Sequence, residues 1–129
     1  MELKIGILGH EEMLVTENDS AKVVGSGDLM VFATPKMIAL IEKTVAESVK
    51  PHLEEGTTSV GTKLDVDHVA ATPIGMKVRC ESELVEIDGR KLVFNVEAYD
   101  EAGLIGKGRH ERFIVQSEKF MARTNAKLK

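Results

Sequence analysis

The sequence holds one cysteine, Cys80, and this scarcity already removes two architectures. A lone cysteine cannot form a disulfide within the chain, and it cannot supply a CxxC metal motif. Long apolar runs are missing too. None approaches the roughly 20 residues that a membrane helix needs, and the start, Met1-Glu2-Leu3-Lys4-Ile5-Gly6, lacks the apolar stretch of a signal peptide. Nor is there an excess of positive charge. The 17 Lys+Arg stand against 21 Asp+Glu, a net charge of -4, which argues against a broad nucleic-acid surface. Local Lys or Arg clusters could still meet the phosphates of a small ligand. The expectation is a reduced, soluble, cytoplasmic protein with neither nucleic acid nor membrane as a partner.

Motifs for common chemistries are also absent. The chain has no GxxxxGK[ST] phosphate loop, no HExxH helix and no GxSxG elbow. Gly106-Lys107-Gly108 lacks the third glycine and the strand-to-helix setting of a dinucleotide site. The four histidines show no metal-ligand spacing. Neither a cofactor nor a metal is expected. With no repeat, low-complexity tract or linker, the 129 residues suit one domain with one core.

What is present is one strong helical pattern followed by strands. Met13-Leu14-Val15 and Ala21-Lys22-Val23-Val24 read as short strand pieces, and Gly25-Ser26-Gly27-Asp28 as a turn. Asp28 is placed to cap a helical turn over Leu29 to Phe32. Thr34-Pro35 then reads as a helix start, with proline at an early helical position and threonine as cap. From Pro35 to about Lys50, Met37, Ile38, Ile41, Val45 and Val49 fall at helical spacing, and Pro51 ends the run.

From Ser59 to Val69 the period becomes two. Val60, Thr62, Leu64, Val66 and His68 share one face, with Lys63, Asp65 and Asp67 on the other. Further strands follow from Met76 to about Ile87, through Leu92 to Ala98, and from Leu104 to Gln116. Asp88-Gly89 and Glu101-Ala102-Gly103 supply the turns. The tail after Phe120 is polar and is expected to fray. One long helix and an antiparallel meander make an α+β pattern.

Three residues depart from this pattern in ways that could carry chemistry. Glu42 lies on the apolar side of the helix, where a carboxylate is costly unless it is paired or faces a cleft. The plain reading is an edge residue whose head reaches water. His68 occupies the inward parity at a strand end. A lone inward histidine is more often a hydrogen-bonded core residue than a catalyst. Thr34 is sufficiently explained as a cap. Gly61, inside a strand, marks a bulge or a close approach of backbone to something else. His10 and His52 sit in polar, loop-like stretches. His110 lies in Gly106-Lys107-Gly108-Arg109-His110-Glu111-Arg112, and the pattern does not place it.

Taken together, these strings are similar to the fluoroacetyl-CoA thioesterase family. The resemblance is carried by Val31-Phe32-Ala33-Thr34, Glu42, Ser59-Val60-Gly61-Thr62 and His68-Val69-Ala70-Ala71-Thr72-Pro73-Ile74-Gly75. It continues through Gly106 to Arg112 and Glu118-Lys119-Phe120. It covers roughly Val31 to Phe120, and the H-x-A-A-T-P-x-G string is its most specific part. The resemblance implies a homodimeric hot-dog fold, a long central helix wrapped by a curved antiparallel sheet, that hydrolyses small acyl-CoA thioesters without metal. By the same resemblance Thr34, Glu42 and His68 are catalytic, Gly61 lies near the substrate carbonyl, and Arg112 contributes to substrate binding. Two departures stand out. Pro35 follows Thr34 where the family has glycine. The family's aromatic-rich lid corresponds to Glu17 to Val31, which has no Phe, Tyr or Trp, so selectivity for fluoroacetyl-CoA does not carry over. A hydratase acting on enoyl thioesters and a non-catalytic acyl-CoA binding module are the alternatives on the same fold.

Overall fold

A computed structural model of the chain describes residues 2–128. Strand β1 (Leu8–Leu14) leads through a 3-10 turn (Glu17–Asp19) to the short helix α1 (Ala21–Val24) and the long helix α2 (Thr34–Val49). A second 3-10 turn (Lys50–His52) precedes β2 (Thr57–His68), β3 (Lys77–Asp88), β4 (Lys91–Asp100), β5 (Gly103–Gln116) and α3 (Ser117–Asn125). The five strands form one sheet in the order β1-β3-β4-β5-β2, and every neighbouring pair is antiparallel. This is the expected α+β layout, with one long helix lying on a curved sheet.

Helix α2 forms where the apolar spacing predicts it. Ala33 is the residue before its first turn, in extended conformation, with Pro35 inside that turn. Met37, Leu40, Ile41, Val45 and Val49 are buried along one stripe. They meet Val78, Cys80, Leu84, Leu92, Phe94, Val96, Ala98 and Ile105 of the sheet in a single core cluster. At about 25 cal/mol per Å² of apolar surface, a fully buried aliphatic side chain contributes roughly 1.5 to 3 kcal/mol. The stripe is thus a principal source of stability.

Several local expectations are corrected. Thr34 is the first residue of α2 rather than its cap, and the cap position, Ala33, offers no side-chain hydrogen bond. Ala21–Val24 is a helical turn, not a strand, because Ser20 Oγ accepts from the Val23 amide and Gly25 closes the turn at φ 91°. Leu29 to Phe32 is not helical. Val31 and Phe32 pair by isolated bridges with Pro73 and Ser20 instead. The strand piece at Met13 begins at Leu8, so His10 lies in a strand. The hairpin tip after β3 is Gly89-Arg90, one residue later than Asp88-Gly89, with Gly89 at φ 63°. Beyond Phe120 the chain continues as helix α3 to Asn125.

The most consequential correction is in β2. The β2–β5 register shifts between Gly61 and Lys63, and such a bulge reverses which face the alternate residues occupy. Ser59 is buried and Gly61 faces the helix, whereas Leu64, Val66 and His68 point inward beyond the bulge. Val60 and Thr62 are therefore not on the inner face.

The loop after β2 is tied down by Thr72, which is fully buried. Its hydroxyl donates to Asp100 Oδ2 at 2.8 Å, and Asp100 Oδ1 accepts from the Ala102 and Gly103 amides. The Thr72 carbonyl accepts from the Phe32 amide at 2.9 Å, and the Val69 amide donates to Ile105. These bonds draw the end of β2 against the start of α2. Replacing Thr72 by valine keeps the shape but removes a buried bond to a carboxylate. Denaturant titration should show a loss of about 1 to 3 kcal/mol; an unchanged midpoint would show that the bond does not anchor the loop.

Candidate active site

Two polar groups converge on the helix–sheet boundary. The first lies where the anchored loop meets the helix start. Thr34 Oγ1 and His68 Nδ1 are 2.7 Å apart. Thr34 is exposed and His68 half-buried, and both line a cavity of about 300 Å³ with Val31, Phe32, Val69 and Ala71. Burial lowers the His68 pKa from the ordinary 6.5, and the nearby Ala70 backbone, which favours the protonated ring, offsets part of that shift. The ring is therefore neutral at neutral pH and able to accept a proton. Among the described residues His68 Nε2 is buried without a hydrogen-bond partner.

The second group surrounds Gly61. A Cβ at that position would stand 2.5 Å from Glu42 Oε2 and 3.3 Å from both Arg112 Nη1 and His110 Cε1. Only a glycine leaves the Glu42 carboxylate room to lie across β2. Arg112 is 7% exposed, and its donors are directed by named partners. Nε donates to Ser59 Oγ at 2.7 Å, Nη2 to the Ser59 carbonyl at 2.9 Å and Nη1 to His110 Nε2 at 3.2 Å. Nη1 also stands 3.8 Å from Glu42 Oε2. Burial lowers the Arg112 pKa and Glu42 opposes that shift.

The geometry thus brings Thr34 to His68, and Glu42 to Gly61 and Arg112, but it keeps the two groups apart. Thr34 and Glu42 are eight residues apart on α2, about 12 Å along the axis. Gly61 and His68 are seven residues apart on β2, about 23 Å of strand. Glu42 turns its carboxylate to Arg112, so within one chain it does not orient His68. Ser59 and His110 are additional members of the second group that the sequence pattern does not single out. For Ser59 the hidden signal is the bulge, which turns it inward. For His110 it is the parity it shares with Arg112 on β5.

The chain is similar to known proteins over most of its length. Residues 15–118 match the family model described as fluoroacetyl-CoA-specific thioesterase. A fluoroacetyl-CoA thioesterase from Streptantibioticus cattleyicolor is 42% identical over 97 residues, covering 75% of this chain and 70% of its own. A solved variant of a fluoroacetyl-CoA thioesterase in complex with acetyl-CoA superposes with a TM-score of 0.92. It is 32% identical and covers 97% of this chain and 98% of its own. A hot-dog-like protein from Thermanaerovibrio acidaminovorans shares the fold at a TM-score of 0.88 and 20% identity, covering 98% of this chain and 94% of its own. The chain belongs to the fluoroacetyl-CoA-specific thioesterase family and is a thioester hydrolase of the hot-dog fold.

Proposed function

We propose that this single-domain protein works in the cytoplasm as a homodimer, hydrolysing short acyl-CoA thioesters to the free acid and coenzyme A. The observation that carries the catalytic reading is the 2.7 Å contact between Thr34 Oγ1 and His68 Nδ1 beside a cavity. An unprotonated Nδ1 takes the proton from the threonine hydroxyl, or from a water in its place, as that oxygen attacks the thioester carbonyl. The leaving group is a thiolate whose parent thiol has a pKa of roughly 8.5, so a strong general acid is unnecessary. A module that only bound acyl-CoA would have no use for a hydroxyl held on a neutral imidazole.

The homodimer rests on the edge of β2. That strand is 12 residues long and closes one side of the sheet order, with Gly61, Thr62 and Lys63 exposed. An open edge of this length is a ready template for another strand. Two copies paired antiparallel about an axis near Leu64 would bring the Glu42–Gly61 group of one chain toward Thr34 and His68 of the partner subunit. The reacting carbonyl would then have the base on one side and the Gly61 backbone with Glu42 on the other. Separated groups in one chain become one site in two.

His68→Ala should abolish nearly all thiol release while the melting curve stays close to that of the parent, and a folded, active variant would remove His68 from the mechanism. Because the neutral ring is the active form and burial lowers its pKa, the rise of activity with pH should have its midpoint below 6.5; a midpoint above that value contradicts the assignment.

Thr34 is an exposed first-turn residue with no capping bond. Thr34→Ala should therefore change unfolding free energy by less than about 0.5 kcal/mol while greatly reducing turnover. A stable variant with full turnover would leave water as the nucleophile.

His68→Ala and Glu42→Gln should each be inactive alone. Co-refolding them in equal amounts should restore about a quarter of the parent activity, because half the dimers would carry one intact site of two. No recovery in a verified mixed dimer would place the whole site within one chain.

The substrate range follows from the segment over the cavity. From that segment Ala21, Ser26 and Val31 line the cavity, none of them aromatic, and Phe32 follows them. Such a wall separates acyl groups by only about 1 to 3 kcal/mol per methylene. Acetyl-, fluoroacetyl- and butyryl-CoA should accordingly be hydrolysed with comparable efficiency. A preference of several orders of magnitude for fluoroacetyl-CoA would show that this selectivity does not need an aromatic-rich lid.

A further inference from the structure

His110 is the largest polar side chain buried in the molecule without a part in the chemistry above, and its two ring nitrogens face groups of fixed polarity. Nδ1 is 2.8 Å from the Lys63 carbonyl, which can only accept. Nε2 is 3.2 Å from Arg112 Nη1, which can only donate. One protonation state satisfies both: a neutral ring with its hydrogen on Nδ1. A protonated ring would aim a second donor at the guanidinium. The ring is fully buried, with Cε1 under Gly61, and its strand neighbours at that level are Leu64 and Phe94. No water can take over the role of either partner without displacing packed side chains.

We propose that His110 is a positioning residue, which accepts from Arg112 through Nε2 and so holds the guanidinium, and through it the Glu42 carboxylate, in register with Gly61. The inference rests on the reading of Glu42 as part of the active site. Ser59 fixes the Nε and Nη2 side of the guanidinium. His110 fixes the Nη1 side, the one that faces Glu42. Without it, the planar guanidinium can tilt about its two bonds to Ser59 and carry Nη1 away, and among the described residues the half-exposed Glu42 has no other basic partner.

Two amides separate positioning from packing, because each imitates one ring nitrogen. In His110→Asn the amide nitrogen replaces Nδ1 and keeps the bond to Lys63, but nothing accepts from Arg112. In His110→Gln the carbonyl oxygen reaches the Nε2 position and accepts from Arg112, leaving Lys63 without its donor. Positioning predicts that Gln retains turnover within roughly 3-fold whereas Asn loses about 10-fold or more in kcat, with KM little changed in both. A purely structural role predicts the reverse order, since Asn keeps the bond that joins two strands. Asn as active as Gln, or Gln as impaired as Asn, overturns the proposal.

A second measurement needs no substrate. Nitrogen-15 spectra of the parent protein at neutral pH should show His110 as the Nδ1–H tautomer, the minor form of free histidine. An Nε2–H tautomer or a charged ring overturns the clamp even if acyl-CoA hydrolysis is confirmed. Conversely, the Nδ1–H signal in a protein that hydrolyses no acyl-CoA would leave the clamp standing and remove the proposed reaction.

Discussion

Burial of the α2 stripe against the sheet is the constraint on which the site depends. Met37, Ile41, Val45 and Val49 are all at 0% exposure, so the helix cannot rotate or slide without exposing them. Glu42 follows Ile41 directly and is carried to the boundary of that stripe, where its side chain keeps 41% exposure. It is neither free in solvent nor enclosed. A carboxylate in such a position needs a partner, and the sheet supplies Arg112 from β5. The same fixed helix sets Thr34 at its first turn, eight residues and about 12 Å away. Hydrophobic packing therefore determines the spacing of the proposed catalytic groups, although none of those groups is hydrophobic.

The Arg112–Glu42 pair contributes little to stability. With Glu42 partly exposed, water screens the pair, and exposed ion pairs contribute little to folding. Arg112 itself is buried, and a buried guanidinium must have its donors answered. Ser59 and His110 answer most of them. The arrangement resembles a socket more than a salt bridge: the cation is fixed first, and the carboxylate takes its orientation from it. His110 can do this only when neutral, and burial lowers its pKa from 6.5, opposed by the bond to the Lys63 backbone. Protonating it would cost folding free energy, so its contribution is complete above the ordinary imidazole pKa and is lost as pH falls through its lowered one.

Much of this was legible in the residues. The helix was readable because apolar side chains at i, i+3, i+4 and i+7 admit one interpretation over 16 residues. The H-x-A-A-T-P-x-G and G-x-G-x-H-E-R strings pointed to the family and to Thr34, Glu42, His68, Gly61 and Arg112. Their physical roles were not all readable. Thr34-Pro35 looks like a cap, yet the hydroxyl faces His68, because the loop anchored through Thr72 and Asp100 is brought there by contacts 28 residues apart in sequence. Strand parity failed at Gly61 because a bulge adds one residue without changing composition. Val60 therefore read as sharing the face of Leu64 and His68, whereas the structure buries its neighbour Ser59. His110 escaped for a similar reason: its partners, Lys63 and Arg112, lie on two strands, and only the register of β5 against β2 brings them together.

The two edges of the sheet differ in a way that bears on assembly. Strand β1 is 7 residues long, with inward positions only half-buried, and it ends in the bridged segment before α2. Strand β2 is 12 residues long, and both polar groups of the candidate site lie along it. A long open edge invites pairing with other chains, and proteins usually blunt it with charge, bulges or a covering strand. Here Lys63, Asp65 and Asp67 charge the outward face, and the bulge interrupts the middle. These devices discourage arbitrary strands, while a second copy of the same edge, run antiparallel, offers Asp65 and Asp67 to the partner's Lys63. Opposite charges set across strands favour that register over others. An edge that excludes foreign strands and accepts its own copy would bring the two half-sites together by the same pairing that removes the aggregation hazard.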